Sequence, residues 1–212
     1  MTQQLKPVPP PRPQKLDLPT MTYEQFLEWD FENPHVEWVN GEVVMMAPVG
    51  DEHQDVGGLL LTLLRVYADE HELGVVRYEP FNMKTGPDLP GRSPDILFVS
   101  SKNRSRVKKN HLKGPADLAV EIISPGSRGT DRGDKFYEYE KGGVKEYWLI
   151  DPERKRAEFY QLGRDKLNQL IEIGGDGIFR SLVVKGLWLR VEWLWQRPLP
   201  KPTRILKEWG LV

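Results

Sequence analysis

The fold is decided by two apolar stretches, SPDILFV (residues 93–99) and DLAVEII (residues 117–123). Both have the length and composition of buried β-strands, and each carries one carboxylate, Asp95 and Glu121. A desolvated carboxylate without a partner costs several kcal/mol or takes up a proton, so this pair favours a cation between the strands. Mg²⁺ accepts one or two carboxylates, a carbonyl and several waters, which is what two neighbouring strands can provide.

The spacing of 26 residues between Asp95 and Glu121 allows one strand, a loop and a neighbouring strand that brings the carboxylates together. A shared metal would polarise a phosphoryl oxygen and generate hydroxide from bound water, which is the chemistry of phosphodiester hydrolysis. The same pattern also fits two strand-end carboxylates that pair with loop lysines or arginines, and spacing alone does not distinguish the two.

A downstream helix predicted over 131–141 carries Asp131, Lys135 and Tyr139 at i, i+4 and i+8, hence on one face. Lys135 could reach the carboxylates, orient an attacking water or offset charge in the transition state. Its other interpretation is an ordinary ion pair with Asp131.

Further elements follow from local patterns. Thr22 and Gln25 form a capping box for a short helix, and Asn40-Gly41 predicts a hairpin joining strands 36–39 and 42–47. Apolar residues at helical spacing predict a helix over 51–73. The remaining predictions are strands at 75–83, 95–99, 118–123 and 146–150, a meander at 155–161, 170–173 and 178–184, and a Trp-rich stretch at 187–195.

Length and composition bound the class of protein. The chain has 212 residues, no cysteine and a net charge of −1. Disulfides, thiolate zinc sites and cysteine nucleophiles are therefore excluded, and without a long apolar run or a signal peptide we expect a cytoplasmic protein that does not enter a membrane. Any attraction to nucleic acid must come from local clusters of charge.

The predicted organisation has three parts. Six prolines between Pro7 and Pro19 indicate a disordered proline-rich tail over residues 1–19. One folded domain is expected over 20–196, followed by a C-terminal extension over 197–212.

An ordered set of motifs resembles the PD-(D/E)XK nuclease superfamily and, more closely, the Uma-two family of restriction-endonuclease-like proteins. The resemblance spans about Met21 to Trp195 and rests on TYEQF (22–26), VEWVNGE (36–42), HQ (53–54), SPD (93–95), VEIISP (120–125), Asp131 with Lys135, and GVKEYWLID (143–151).

The resemblance implies an α/β fold with a restriction-endonuclease-like central mixed β-sheet flanked by helices, here with an N-terminal hairpin and a C-terminal β-meander. It implies metal ligands at Asp95 and Glu121 and a carbonyl ligand near Ile122. The position two residues after Glu121, where the superfamily usually has lysine, is Ile123. The Uma-two resemblance suggests that Lys135 replaces that lysine from the helix.

Two further residues match the family pattern. His53 is predicted in the first turn of its helix and could relay a proton to the leaving oxygen, although a lone histidine is more often structural. Glu37 lies in the hairpin and could support the site or simply pair with a basic residue.

Nucleic-acid contacts are expected from the loop between the two carboxylate strands, where phosphate contacts would give affinity without sequence information. Its basic residues are Lys102, Arg104, Arg106, Lys108, Lys109 and Lys113. A solvated, mobile loop is the other interpretation. The tryptophans at 188, 193 and 195 fit core or interface packing better than base stacking.

The sequence therefore predicts a Mg²⁺-dependent endonuclease, with Mn²⁺ as a substitute ion and DNA as the substrate. A hydrolase of RNA or of another phosphodiester would use the same site. A nuclease-fold binding or scaffold protein without activity is the rival of a different class, and Ile123 favours it. Two cuts on a duplex are most simply made by symmetry-related sites, which favours a homodimer.

Overall fold

The computed structural model describes residues 14–15, 17, 20–30 and 35–212. The predicted disordered tail lies mostly outside the described residues. Within that segment, Gln14–Lys15 forms a short strand, β1, that pairs with the strand of the hairpin at Met45 and Val44.

The fold has a six-stranded central mixed sheet, as predicted. Its strands, in spatial order, are β12 (Asn168–Leu170), β11 (Arg156–Leu162), β10 (Glu146–Asp151), β9 (Leu118–Ile122), β7 (Ile96–Ser100) and β4 (Gly74–Tyr78). Strands β9 and β10 are parallel, whereas β7 and β9 are antiparallel. The pairing of Ile96 with Val120 sets Asp95 opposite Glu121 at one end of the sheet.

A second, smaller sheet contains the predicted hairpin. Its other strands are β3 (Glu42–Met45), β2 (Val36–Val39), β6 (Gly91–Arg92), β5 (Asn82–Lys84) and β8 (His111–Lys113), in spatial order after β1. The hairpin turns at Asn40 and Gly41, both with positive φ, as a tight Asn-Gly turn requires. Helix α1 (Tyr23–Glu28) starts with the predicted capping box of Thr22 and Gln25.

Helix α2 (Asp51–Glu70) packs its apolar stripe against one face of the central sheet. Val56, Leu60, Leu63 and Leu64 are almost completely buried there. The helix ends three residues before the predicted end, and Gly74 begins β4 instead. A side chain at Gly74 would come within 2.2 Å of the Val99 carbonyl oxygen, so the close approach of β4 and β7 requires glycine.

Several predicted elements differ from the structure. The predicted strand 75–83 is divided between the two sheets, because Pro80 has no N–H for the ladder. The helix predicted over 131–141 is two helices, α3 (Arg128–Arg132) and α4 (Asp134–Gly142). They are separated at Gly133, where a Cβ would lie 2.7 Å from the Gly129 carbonyl oxygen. Asp131 therefore lies in the last turn of α3, and Lys135 and Tyr139 lie in α4.

The predicted C-terminal meander is also divided. Strands β11 and β12 extend the central sheet, whereas β13 (Ile178–Arg180) pairs with β14 (Trp188–Arg190) in a separate two-stranded sheet. The Trp-rich stretch ends in a 3₁₀ helix, Val191–Trp195, and Trp193 is buried in the core. Helix α5 (Pro202–Glu208) lies in the predicted extension, where Ile205 and Leu206 join the same core.

A buried carboxylate fixes the β13–β14 unit to the central sheet. Glu146 is fully buried, and it accepts hydrogen bonds from the Ser181 hydroxyl (2.8 Å), the Leu182 amide (2.7 Å) and the Trp148 indole (2.7 Å). The glutamate thereby satisfies donors of a segment more than thirty residues away in sequence. Burial raises the pKa of Glu146, and these hydrogen bonds oppose the rise.

Replacing Glu146 with alanine is expected to lower the free energy of unfolding by about 3 kcal/mol, because several buried donors lose their acceptor. For a chain of this size the melting temperature should fall by roughly 6–12 °C. Thermal and urea denaturation measure the effect, with the exposed Glu172→Ala as the control. A Glu146→Ala protein as stable as its control would show that these hydrogen bonds contribute little.

Candidate active site

The site is a partly open cavity of about 50 Å³ at the end of the central sheet where Asp95 and Glu121 lie. Its walls come from the β3 strand and the segment after it, the start of α2, the 122–130 segment and α4. Four buried carboxylates line it: Glu37, Asp95, Glu121 and Asp131. Lys135 is the one lysine or arginine among the lining residues.

Asp95 directly precedes β7 and is held by the neighbouring strand. Its Oδ2 accepts a hydrogen bond from the Ile122 amide (2.5 Å) and lies 3.4 Å from Nε2 of His53. Among the described residues, no donor reaches Oδ1 of Asp95. One carboxylate oxygen thus stays available, beside the backbone of Ile122.

Glu121 lies within β9 and is 2 % exposed. Its Oε2 accepts a hydrogen bond from Nζ of Lys135 (2.9 Å) and its Oε1 one from the Tyr139 hydroxyl (2.7 Å). Burial raises the pKa of Glu121 well above its usual range; Lys135 opposes this, and Asp131 and Asp95 add to it. The contact with Lys135 therefore offsets only part of the cost of burying a charge at Glu121.

Lys135 points from α4 into the carboxylate cluster despite the break at Gly133. Its Nζ lies 3.2 Å from Oδ1 of Asp131 and 3.4 Å from Oε1 of Glu37, in addition to Glu121. Burial lowers the pKa of Lys135, but Glu121, Glu37 and Asp131 outweigh it and raise the pKa well above its usual range. Lys135 is therefore a protonated ammonium shared by three carboxylates. It does pair with Asp131, but that is not its main contact.

Glu37 is held by a buried arginine that the sequence interpretation missed. Nη1 of Arg92 donates to Oε2 of Glu37 (2.9 Å), while Nε and Nη2 donate to the two oxygens of Glu138 in α4 (both 2.7 Å). Burial raises the pKa of Glu37, but Lys135 and Arg92 outweigh it and lower the pKa. Arg92 thus links helix α4, which carries Lys135, to strand β2 of the hairpin. Its position directly before the Ser-Pro-Asp motif was the available signal.

His53 lies in the first turn of α2, as predicted, with 8 % of its surface exposed. Burial lowers the pKa of His53, but Asp95 and Glu79 outweigh it and raise the pKa. Its Nδ1 is buried and has no hydrogen-bond partner. Nε2 therefore contacts Asp95, whereas Nδ1 accepts or donates no hydrogen bond among the described residues.

The basic loop is not brought to this cavity. It begins with a 3₁₀ helix, Ser101–Arg106, at the opposite end of β7, and five residues of strand separate it from Asp95 by about 16 Å. Asp117 fixes the loop by accepting hydrogen bonds from the Ser100 amide (2.8 Å) and the Asn103 side chain (2.8 Å). Lys102, Arg104, Lys108, Lys109 and Lys113 are exposed, and Arg106 is partly buried.

The donor set fits a hard cation that keeps part of its hydration shell. In the part of the chain that the structure describes, no group of three or more His, Asp or Glu side chains could hold a metal ion by itself. Two carboxylates and a neighbouring backbone are instead present, the incomplete set that Mg²⁺ accepts with water.

A mixed sheet with paired carboxylates at one end and a lysine from the adjacent helix defines a restriction-endonuclease-like protein. The family model Uma2, described as "Putative restriction endonuclease", matches residues 23–192, and the chain belongs to this family. The predicted Uma-two membership and fold class are thereby confirmed.

A solved structure supports the fold independently. It is described as a "putative nuclease belonging to DUF820" from Anabaena variabilis, and it is similar to this chain with a TM-score of 0.66 at 18 % sequence identity. The similarity covers 82 % of this chain and 97 % of that one. No curated protein matches the sequence. No helix in the described parts of the chain is long and apolar enough to cross a membrane.

Proposed function

We propose that the protein is a metal-dependent nuclease that hydrolyses phosphodiester bonds in DNA. The observation that carries the proposal is the convergence of four buried carboxylates on one small cavity that a single lysine lines, with Arg92 outside the lining as the further partner of Glu37. Such a charge imbalance is costly in a protein interior unless a cation relieves it. Membership of the family described as "Putative restriction endonuclease" supports a nuclease.

Asp95, Glu121 and the Ile122 carbonyl are the proposed ligands of Mg²⁺, with Mn²⁺ as a substitute. When bound, the ion would supply Lewis acidity and a water of lowered pKa. Asp95 and Glu121 are held in position beforehand by the Ile122 amide, Lys135 and the Tyr139 hydroxyl. Little rearrangement is then needed to bind the ion.

Lys135 and His53 have different proposed roles. Lys135 remains protonated beside Glu121, where its ammonium can orient a water or oppose negative charge on the phosphoryl group. His53 has a raised pKa and lines the cavity beside Asp95, so it can donate a proton to the leaving oxygen. Glu37 is a positioning residue that acts through Lys135 and Arg92.

The basic loop is proposed to contact phosphates away from the scissile bond. Its distance from the cavity means that it can add affinity, but it cannot position the reacting phosphate. The homodimer and the cytoplasmic location remain predictions.

The test is cleavage of single- and double-stranded DNA and RNA by the wild-type protein with Mg²⁺ or Mn²⁺, with chelator as the control. We expect cleavage of DNA that stops when the chelator is added. Cleavage that persists in chelator would contradict metal dependence, and cleavage of RNA alone would correct the substrate.

A second candidate function is a nuclease-fold protein that binds nucleic acid without cutting it. The usual lysine position is taken by Ile123, which is buried in the apolar layer beneath α4. Binding of DNA and of Mg²⁺ without cleavage of any substrate would favour this candidate.

A further inference from the structure

A second groove of about 180 Å³ opens on the other side of His53 and Asp95. It shares both residues with the carboxylate cavity, so the two spaces meet at the proposed reaction centre. Helix α2 forms one wall with Gln54, Gly57 and Gly58, and the end of β4 forms the other. A group bound there would be adjacent to a phosphate at the site.

The aromatic ring of Tyr78 provides a flat surface along this groove. Tyr78 is the last residue of β4 and is 51 % exposed. Val76, two residues earlier and so on the same face of the strand, packs into the core against α2. No ring, hydrogen bond or ion pair from the described residues engages the Tyr78 side chain, so its ring is free to stack on a ligand.

Gly57 and Gly58 of α2 form part of the opposite wall of the groove and place no side chain in it. Glycine is unfavourable inside a helix, so two in succession need a reason. At Gly57 the reason is packing, because a Cβ would lie 3.2 Å from Cδ1 of Ile122. At Gly58 a Cβ would meet nothing within 4 Å, so packing does not require glycine there. Its missing side chain instead keeps the groove open.

The charge of the groove selects what can bind. Glu79 and Asp95 line it, whereas none of its lining residues is a lysine or an arginine. A phosphate would be repelled by these two carboxylates. A flat, uncharged group that carries N–H donors fits both the exposed ring and the carboxylate.

We propose that this groove binds the nucleobase next to the scissile phosphate, with Tyr78 stacking on the base and Glu79 accepting from its amino or imino groups. The inference rests on the proposed function and adds a nucleotide subsite to it. Aromatic stacking tolerates every base, whereas an acceptor such as Glu79 discriminates between base edges. The subsite would therefore give both affinity and a base preference at one position.

The test uses oligonucleotides with 2-aminopurine at successive positions, whose fluorescence is quenched on stacking. In chelator we expect the wild type to quench one position. Tyr78→Ala should lose this quenching and weaken binding by about 5- to 150-fold, the range for loss of one base–aromatic stack. Tyr78→Phe should retain both. The matched control is Tyr137→Ala, since Tyr137 is also an exposed tyrosine (66 %) but lies on α4 outside the groove.

A second variant tests the opposite wall. Gly58→Leu should keep the helix, since leucine is a good helix former and its Cβ has space, while its side chain fills the groove. With Mg²⁺ present, both Gly58→Leu and Tyr78→Ala should raise KM more than they lower kcat. Circular dichroism is the control for whether each variant is folded.

The possible outcomes distinguish failure of the subsite proposal from failure of the nuclease proposal. Active wild type with unchanged quenching and KM in Tyr78→Ala would overturn the subsite and leave the nuclease proposal intact. Quenching that depends on Tyr78, without cleavage by the wild type, would support the subsite in a protein that only binds. A wild type that neither binds nor cleaves any oligonucleotide would overturn both.

Discussion

Asp95→Asn is expected to reduce metal-dependent cleavage on the order of a thousandfold while leaving the fold intact. Asparagine has nearly the same shape, and its carbonyl oxygen can still accept the hydrogen bond that the Ile122 amide donates to Oδ2. The variant removes the negative charge that attracts the cation to this position. Single-turnover cleavage at saturating Mg²⁺ measures the chemical step directly.

Thermal stability in Mg²⁺ gives a second reading of Asp95→Asn that does not depend on turnover. An ion at one hundred times its Kd stabilises the folded state by about 2.7 kcal/mol, or roughly 5–11 °C for a chain of this size. The wild type should show this rise and Asp95→Asn should not. The exposed Asp88→Asn is the control and should behave as the wild type. Wild-type cleavage by Asp95→Asn would show that the carboxylate is not a ligand.

Lys135→Met is expected to affect both stability and cleavage strongly. It removes the ammonium shared by Glu121, Asp131 and Glu37, and loss of one partner of a buried ion pair costs about 3–5 kcal/mol. Urea denaturation measures this loss. Cleavage should fall on the order of a hundredfold or more, as for other groups that stabilise a transition state electrostatically. Lys141→Met, on the exposed side of α4, should change neither quantity.

The double variant Lys135→Met with Asp131→Asn separates the structural role of the lysine from its chemical role. Asp131 is not a proposed ligand, and its neutralisation removes one carboxylate left without a cation. The two substitutions should be coupled, and the double variant should regain part of the stability, within about 0.5–3 kcal/mol. Cleavage should stay low. Recovery of cleavage together with stability would make Lys135 a structural residue only.

Elements that depend on local interactions could be predicted from the sequence. The Asn-Gly turn, the capping box at Thr22 and the apolar stripe of α2 each depend on residues a few positions apart, and all three are found as predicted. Element ends were less predictable. The break at Gly133 depends on its distance from the Gly129 carbonyl oxygen, and the split at Pro80 depends on which sheet can take the next strand.

The sequence by itself determined the candidate pair, Asp95 and Glu121, because carboxylates within apolar strands are unusual and the family motifs contain them. Only the tertiary structure decided what surrounds them. Arg92 joins Glu37 and Glu138 across 55 and 46 residues, and Tyr139 reaches Glu121 on β9 from helix α4. The tertiary structure also decided that the basic loop lies at the end of β7 opposite Asp95. The physical reason is that helices, strands and turns depend on residues close together in sequence. The partner of a buried charge depends instead on how elements that are distant in sequence pack together.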